Sequence, residues 1–431
     1  MAYTETTRTS YGSRLGGSLR GMLTGLILFF AATALLWWNE GRAVKQSDAI
    51  KDAESSYVEM DNPNKLDPSL DGELVYATCL ATTKEILEDP DFGVKANAIN
   101  MARKVEFYQW QEESDSHSED KLGGAQETTT TYTYKVGWTH RPVNSDEFKD
   151  PAYKGKNSVL ANVEDGQWSA QEVTFGAYNL PEFAISSLRA DEQLQVEVAE
   201  DQLKQWEKKL NPNAKNIAKQ SIDMVAAAQN DTNVVVKDTV EVPKMTFETE
   251  YIHVGSNQIY LGKDPSKPQI GDVRISYYKC SPTKCSLIAK VKGNTFARYK
   301  AKNGKMFVMV EKGVRDSDEM IQGAKDANSF WTWVLRIFGL FLLYTALRML
   351  LGFPEMLLKV VPFLSTILGI GVGIVCFLIT VIWGGLIIAL AWFFYRPILS
   401  ICILAVVGAA GFGLWKYKKS KAPAAPAEPK A

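Results

Sequence analysis

A chain of 431 residues with a net charge of −1 and a slightly negative mean hydropathy reads at first as an ordinary soluble protein of two or three domains. Both averages conceal a segregation. Residues 1–39 and 330–431 together hold 12 Lys/Arg and 3 Asp/Glu, whereas residues 40–329 hold 36 and 46. No basic stripe of the kind that binds nucleic acid emerges, and five cysteines exclude a disulfide-built scaffold.

In chain order, residues 1–20 form a basic N-terminal segment carrying Arg8, Arg14 and Arg20. Gly21–Trp38 follows, 18 residues without a charge that end in an interfacial Trp pair, the pattern of an uncleaved membrane anchor. Residues 39–329 then read as one large extramembrane domain of α+β class. Thr131–Trp138 alternates with the two-residue period of a half-buried strand, and Val105–Gln111, Asn233–Val240, Ile259–Leu261, Val273–Lys279, Ser286–Val291 and Met306–Glu311 are similar. Helices are expected at Glu192–Leu210, Ala214–Gln229 and Val94–Arg103, and exposed loops at Glu112–Glu127 and Asp146–Asn157. Cys280 and Cys285 flank Ser281-Pro282-Thr283-Lys284, a turn signal that would set them facing each other across a hairpin. A disulfide and two unpaired thiols both satisfy that spacing.

A second span is expected over residues 330–348, stopped by Gly352-Phe353-Pro354. Its internal Arg336 is expected to reach the interface as an anchor. Residues 360–395 are uncharged throughout and fit one long third helix, and residues 397–415 make a fourth span. Residues 416–431 are a basic, then Ala/Pro-rich tail. The expectation is a multi-pass α-helical membrane protein with about four transmembrane helices. Positive charge outside the first and last spans puts both ends in the cytoplasm and the acidic domain on the opposite face. Small residues at four-residue spacing mark helix-packing faces: Gly17, Gly21 and Gly25; Gly369 and Gly373; Ala405, Ala409 and Gly413.

Chemistry is sparse. His117, His140 and His253 have no metal-ligand spacing, and no phosphate loop or nucleophile elbow occurs, so no catalytic, cofactor or metal residue is assigned and an enzyme is not expected. Glu112, Glu113, Asp115, Glu119 and Asp120 suit a solvated loop better than an acid/base pair.

Several separated motifs resemble the transmembrane protein 43 family, also called LUMA. They are Asn39-Glu40-Gly41-Arg42-Ala43, Asp89-Pro90-Asp91-Phe92-Gly93-Val94, Val105-Glu106-Phe107-Tyr108-Gln109-Trp110, Tyr132-Thr133-Tyr134 with Trp138, Gly271-Asp272-Val273-Arg274-Ile275-Ser276, and Phe394-Tyr395-Arg396-Pro397. The resemblance implies four spans, a luminal domain and self-association. It also implies residence in the endoplasmic reticulum and inner nuclear membrane of animals, with lamin- and emerin-like partners. The Ala/Pro-rich tail suggests a bacterial member, which would place the domain in the periplasm beside an inner membrane. The expected function is a non-enzymatic membrane organiser or scaffold, a homo-oligomer in the lipid bilayer with membrane-protein partners and no nucleic acid. The alternative is an oligomeric channel or transport-related protein gated by the outer domain.

Overall fold

The computed structural model describes residues 2–211, 249–358, 362–397 and 401. The expected strand Asn233–Val240 and helix Ala214–Gln229 lie outside them, as does most of the fourth span.

Five helices occur among the described residues: α1 (Tyr11–Ser56), α2 (Glu182–Ile185), α3 (Glu200–Leu210), α4 (Ser317–Leu358) and α5 (Pro362–Tyr395). Ser10 caps α1, its Oγ accepting from the Ser13 amide at 3.3 Å. The helix does not end with its apolar run. Beyond Trp38 its burial becomes one-sided, with Ala43, Val44, Ala49, Ile50 and Ala53 turned inward, so the anchor continues for about five turns into the domain. α4 likewise begins in the domain and enters the apolar stretch without a break. It also passes through Pro354, where a stop was expected, and ends at Leu358. Three helices, α1, α4 and α5, contain segments long and apolar enough to cross a membrane. α5 is continuous through Trp383-Gly384-Gly385.

Two large sheets and two small two-stranded ones, Ile86–Glu88 with Lys95–Asn97 and Tyr299–Lys300 with Met306–Phe307, occur among the described residues of the β-rich domain. From edge to edge, the eight-stranded sheet runs Tyr3–Thr9, Gln126–Thr139, Asn100–Asp120, Val273–Cys280, Gln258–Leu261 and Ile252–Val254, with Gly166–Ser169 and Glu192–Gln193 pairing at its sides. The seven-stranded sheet includes Tyr57–Glu59, Leu74–Thr82, Thr174–Phe175, Tyr178–Asn179, Thr295–Ala297, Thr283–Lys292 and Met309–Lys312. Because Thr283–Lys292 also pairs with Leu74–Thr82, five of its strands close into a ring. The main core holds Val75, Ala77, Phe92, Met101, Phe175, Tyr277 and Leu287. On the other face of the same strands, Leu74 and Ile288 pack against Ile50 and Ala53 of α1 and Met320 and Ile321 of α4. A strand's two-residue alternation thus lets one sheet face the domain core and the membrane-connected helices together.

Several expectations are corrected here. Glu112–Glu127 is not a loop: Asn100–Asp120 and Gln126–Thr139 form one long hairpin with only a short turn between them. Its many carboxylates occupy the exposed ends of strands, where the cross-strand ladder satisfies the backbone without an apolar face. Val94–Arg103 is strand (Lys95–Asn97, then from Asn100) rather than helix, and Glu192–Leu210 is helical only from Glu200. Cys280 and Cys285 are not a hairpin pair, because the turn between them passes the chain from one sheet to the other. Cys280 is registered with Asn100 and Cys285 with Cys79, and both are free thiols. Burial pushes the Cys285 thiol up to about 12.

The N-terminal segment is the largest surprise. Residues 1–20 were expected to stand across the membrane from residues 39–329, yet Tyr3–Thr9 forms a seven-residue antiparallel ladder with Gln126–Tyr132. Arg14 pairs with Asp120 at 2.7 Å and donates to the Gly124 carbonyl at 2.7 Å. Both strands are rich in Thr and Tyr, which suit an open edge. Beyond Trp110 the hairpin leaves the body as a ribbon, roughly 33 Å long at the rise of a strand, which is edged by Tyr3–Thr9 and reaches back to the start of α1.

Candidate functional site at the junction of helices and domain

The polar residues that follow the first apolar run come together with both later helices. α1 and α4 are antiparallel neighbours, and close approach is set by glycine. A Cβ on Gly25 would lie 2.9 Å from the Ala346 carbonyl oxygen, and one on Gly339 would lie 2.6 Å from Leu36. One on Gly384 of α5 would lie 2.3 Å from Leu340. Of the expected packing glycines, Gly25 is therefore used within the chain, a Cβ on Gly373 would lie 3.6 Å from the Tyr344 hydroxyl, and one on Gly17 or Gly21 would meet nothing among the described residues. Gly369 lies in α5, and Ala405, Ala409 and Gly413 lie outside the described residues. Gly339 and Gly384 were missed because neither belongs to a four-residue series.

At the domain end of this bundle, each residue of Asn39-Glu40-Gly41-Arg42 has a separate task. Asn39 is fully buried, and its Nδ2 donates to the Thr332 carbonyl at 3.0 Å. Its Oδ1 accepts from Arg42 Nε at 3.3 Å and Nη2 at 3.2 Å. Arg42 also donates to Thr332 Oγ1 at 3.0 Å and Asn328 Oδ1 at 3.3 Å, and Asn328 returns a bond to the Ala43 carbonyl at 3.0 Å. Glu40 is 1% exposed and binds all three helices. Arg336 of α4 grips it with two nitrogens at 2.6 and 2.7 Å, and Trp392 of α5 donates Nε1 at 2.7 Å. Gly41 leaves room for Tyr395, whose ring would lie 2.6 Å from an added Cβ. Tyr395 in turn packs on Trp37 with centroids 6.1 Å apart, and Arg396 lies over Trp392 at 6.0 Å. Pro397 follows, just past the end of α5.

Arg336 is thus the partner of a buried carboxylate. Sequence reading made it an interface anchor because Glu40 lies 296 residues away, and no local spacing signals that pair. A carboxylate holding three donors from two neighbouring helices is an organising charge.

The other motif residues meet inside the domain. Tyr108 N donates to the Asp272 carbonyl and Gly271 N to the Tyr108 carbonyl, both at 2.9 Å. Gly271 has φ +103°, and a Cβ there would lie 2.7 Å from Ser158 Oγ, so this turn favours glycine on both counts. Asp272 accepts from the Tyr260 hydroxyl and the Gln269 amide, and burial followed by that carboxylate pushes the Tyr260 phenol upward. Tyr108 packs on Trp138, and Trp110 on Tyr153. Asp89 accepts from Arg103 at 2.7 Å and from the Tyr277 hydroxyl, cross-linking the core. These are positioning networks. Among the described residues, no group of three or more His, Cys, Asp or Glu side chains is placed to hold a metal. A wide groove of about 850 Å³ on the ribbon's flank is lined by Glu112, Asp146, Lys149 and Lys154. In it, Glu112 is already bonded to Tyr134 and to the Lys149 amide.

A β-rich domain whose core is continued by antiparallel helices into an apolar bundle defines an integral membrane protein with a large extramembrane domain. The family model described as Transmembrane protein 43 matches residues 107–397, and the chain belongs to that family. Transmembrane protein 43 of Mus musculus is 25% identical over 397 residues, which cover 89% of this chain and 87% of the mouse protein. That of Homo sapiens is 24% identical, covering 90% and 88%. The Drosophila melanogaster homolog is also 24% identical, covering 89% and 90%. No solved structure matches.

Proposed function

We propose that this protein is a non-enzymatic membrane organiser that self-associates through its helices and outer domain. The observation that carries this reading is the division of one glycine face. Gly25 is consumed by contact with α4, while an added Cβ on Gly21 or Gly17, one and two turns earlier, would meet nothing within 4 Å among the described residues. A small-residue surface left open beside a packed one suits a second copy. Size determination of the full chain in nanodiscs tests it: the wild type runs as an oligomer, Gly21→Leu shifts it toward monomer, and a uniformly monomeric wild type would sink the proposal.

We further propose four spans, the fourth over residues 397–415, with both ends cytoplasmic and the domain in the lumen or periplasm. The basic ends and acidic middle support this. It has a structural cost. An exposed polar ribbon cannot lie in hydrocarbon, where backbone groups at an open sheet edge find no partner. Insertion of Gly21–Trp38 therefore requires that Tyr3–Thr9 separate from the ribbon and that the ribbon swing away from the bundle.

A further inference from the structure

Just outside the bundle, a cavity of about 340 Å³ opens between α1, α4 and the segment from Arg298 to Met309. Arg42, Gln46 and Arg298 supply its polar wall, and Met306, Phe307, Met309 and Trp331 its apolar one. Its depth follows from the helices. Arg42 is one turn beyond Trp38, about 6 Å along the axis, and Trp331 opens the second apolar stretch; Trp38 and Trp331 are both more than half exposed. Tryptophans at such positions sit at headgroup level.

The charged side chains that line this cavity, Arg42 and Arg298, are both cations, and Glu40 acts on Arg42 without touching it. All four hydrogen bonds of the Arg42 guanidinium go to neutral oxygens, those of Asn39, Asn328 and Thr332. Glu40, two residues before it, is occupied by Arg336 and Trp392. Asp52, a partly buried carboxylate further along α1, is held by Lys302 and Tyr299. Arg298 lies over the Phe183 ring, 5.3 Å from its centroid. Lys305 stands nearby, its ammonium lowered from the usual lysine range by burial and then by repulsion from Arg42 and Lys45. A site that gathers cations against their mutual repulsion gains from a bound anion. An apolar wall on the same cavity favours an anion with a hydrocarbon attachment.

We propose that this cavity binds the phosphodiester of an anionic phospholipid, with Arg42, Arg298 and Gln46 facing the phosphate and an acyl chain leaving along Met306 and Trp331. A zwitterionic lipid brings a quaternary ammonium toward the same cations and is disfavoured. The inference rests on the depth of the junction, and it stands whether or not the chain self-associates.

The test uses the full chain in nanodiscs of phosphatidylcholine alone or mixed with phosphatidylglycerol, with retained lipid read by native mass spectrometry. Phosphatidylglycerol is expected to be retained about 10-fold over phosphatidylcholine, equivalent to about 1.4 kcal/mol. The double variant Arg298→Gln/Lys305→Gln, which spares the Arg42 network, should lose that preference, and Lys267→Gln, at an exposed loop, should keep it. A photoreactive phosphatidylglycerol, which needs no variant, should label the Arg42–Gln46 and Arg298–Met309 peptides. Equal retention of the two lipids, full retention by the double variant, or labelling confined to other peptides would overturn the proposal. So would inorganic phosphate alone protecting the wild type against heat as well as phosphatidylglycerol does, since the site would then take a free anion.

Discussion

The junction and the ribbon are built from the same residue types and behave as opposites. At the junction, Glu40 and Arg336 are both nearly excluded from solvent and share the indole of Trp392. On the ribbon, Glu113 and Lys135 also pair directly across two strands, but both side chains are more than half exposed. The first pair is costly to break because a charge left behind has no water. The second exchanges its partner for solvent with little change. Position relative to water, and not the identity of the ions, separates a clamp from a decoration.

The largest expected effect tests whether the ribbon belongs where the ladder draws it. Thr6 and Thr129 are registered partners. In a cysteine-free background, Thr6→Cys/Thr129→Cys should cross-link in detergent and fail to do so in sealed proteoliposomes. Efficient cross-linking inside an intact bilayer would break the opposed orientation of residues 1–20 and 39–329. Next, Glu40→Ala should lower stability by about 3–5 kcal/mol, because Arg336 and Trp392 lose their acceptor together. Thermal unfolding in detergent would show this, and a change below that of a surface pair would remove the distinction drawn above. Gly41→Val should cost about 1–3 kcal/mol through collision with Tyr395. Combination with Tyr395→Ala should recover part of that loss, and strict additivity in the double-mutant cycle would count against the contact. On the ribbon, Lys135→Ala should change stability by no more than about 1 kcal/mol.

The smallest effect is a pH dependence on the ribbon's flank. Burial and then the neighbouring Glu112 carboxylate push the Tyr134 phenol up to about 12. Since the folded state holds this proton more tightly than the unfolded chain, the contribution is complete below the ordinary tyrosine range, near pH 10, and is lost as pH rises from there toward 12. An ultraviolet titration difference between wild type and Tyr134→Phe should show one late-ionising phenol.

What the sequence made legible follows from range. The uncharged run Gly21–Trp38, the long helix over residues 360–395 and the alternation of Thr131–Trp138 are local patterns, and each has its counterpart in α1, α5 and the ribbon. The end of α1 was legible only in part, because the residues after Asn39-Glu40-Gly41-Arg42 read as a short polar helix, and nothing local says that it is continuous with the anchor or that Ile50 and Ala53 face Leu74 and Ile288. The Cys280–Cys285 spacing misled for a related reason: a turn signal says that the chain reverses, and it does not say whether the next strand joins the same sheet. The motif residues were found by resemblance, but their roles were hidden. Glu40 and Arg336, or Tyr108 and Gly271, are too distant in sequence for any spacing rule.

One consequence follows from the unbroken passage of α1 and α4 out of the bilayer. Neither helix has a hinge at the surface, so a helix that tilts to match a thinner or thicker membrane must carry the sheet resting on Ile50, Ala53, Met320 and Ile321 with it. The lean of the outer domain is thereby tied to the angle at which its stem meets the lipid.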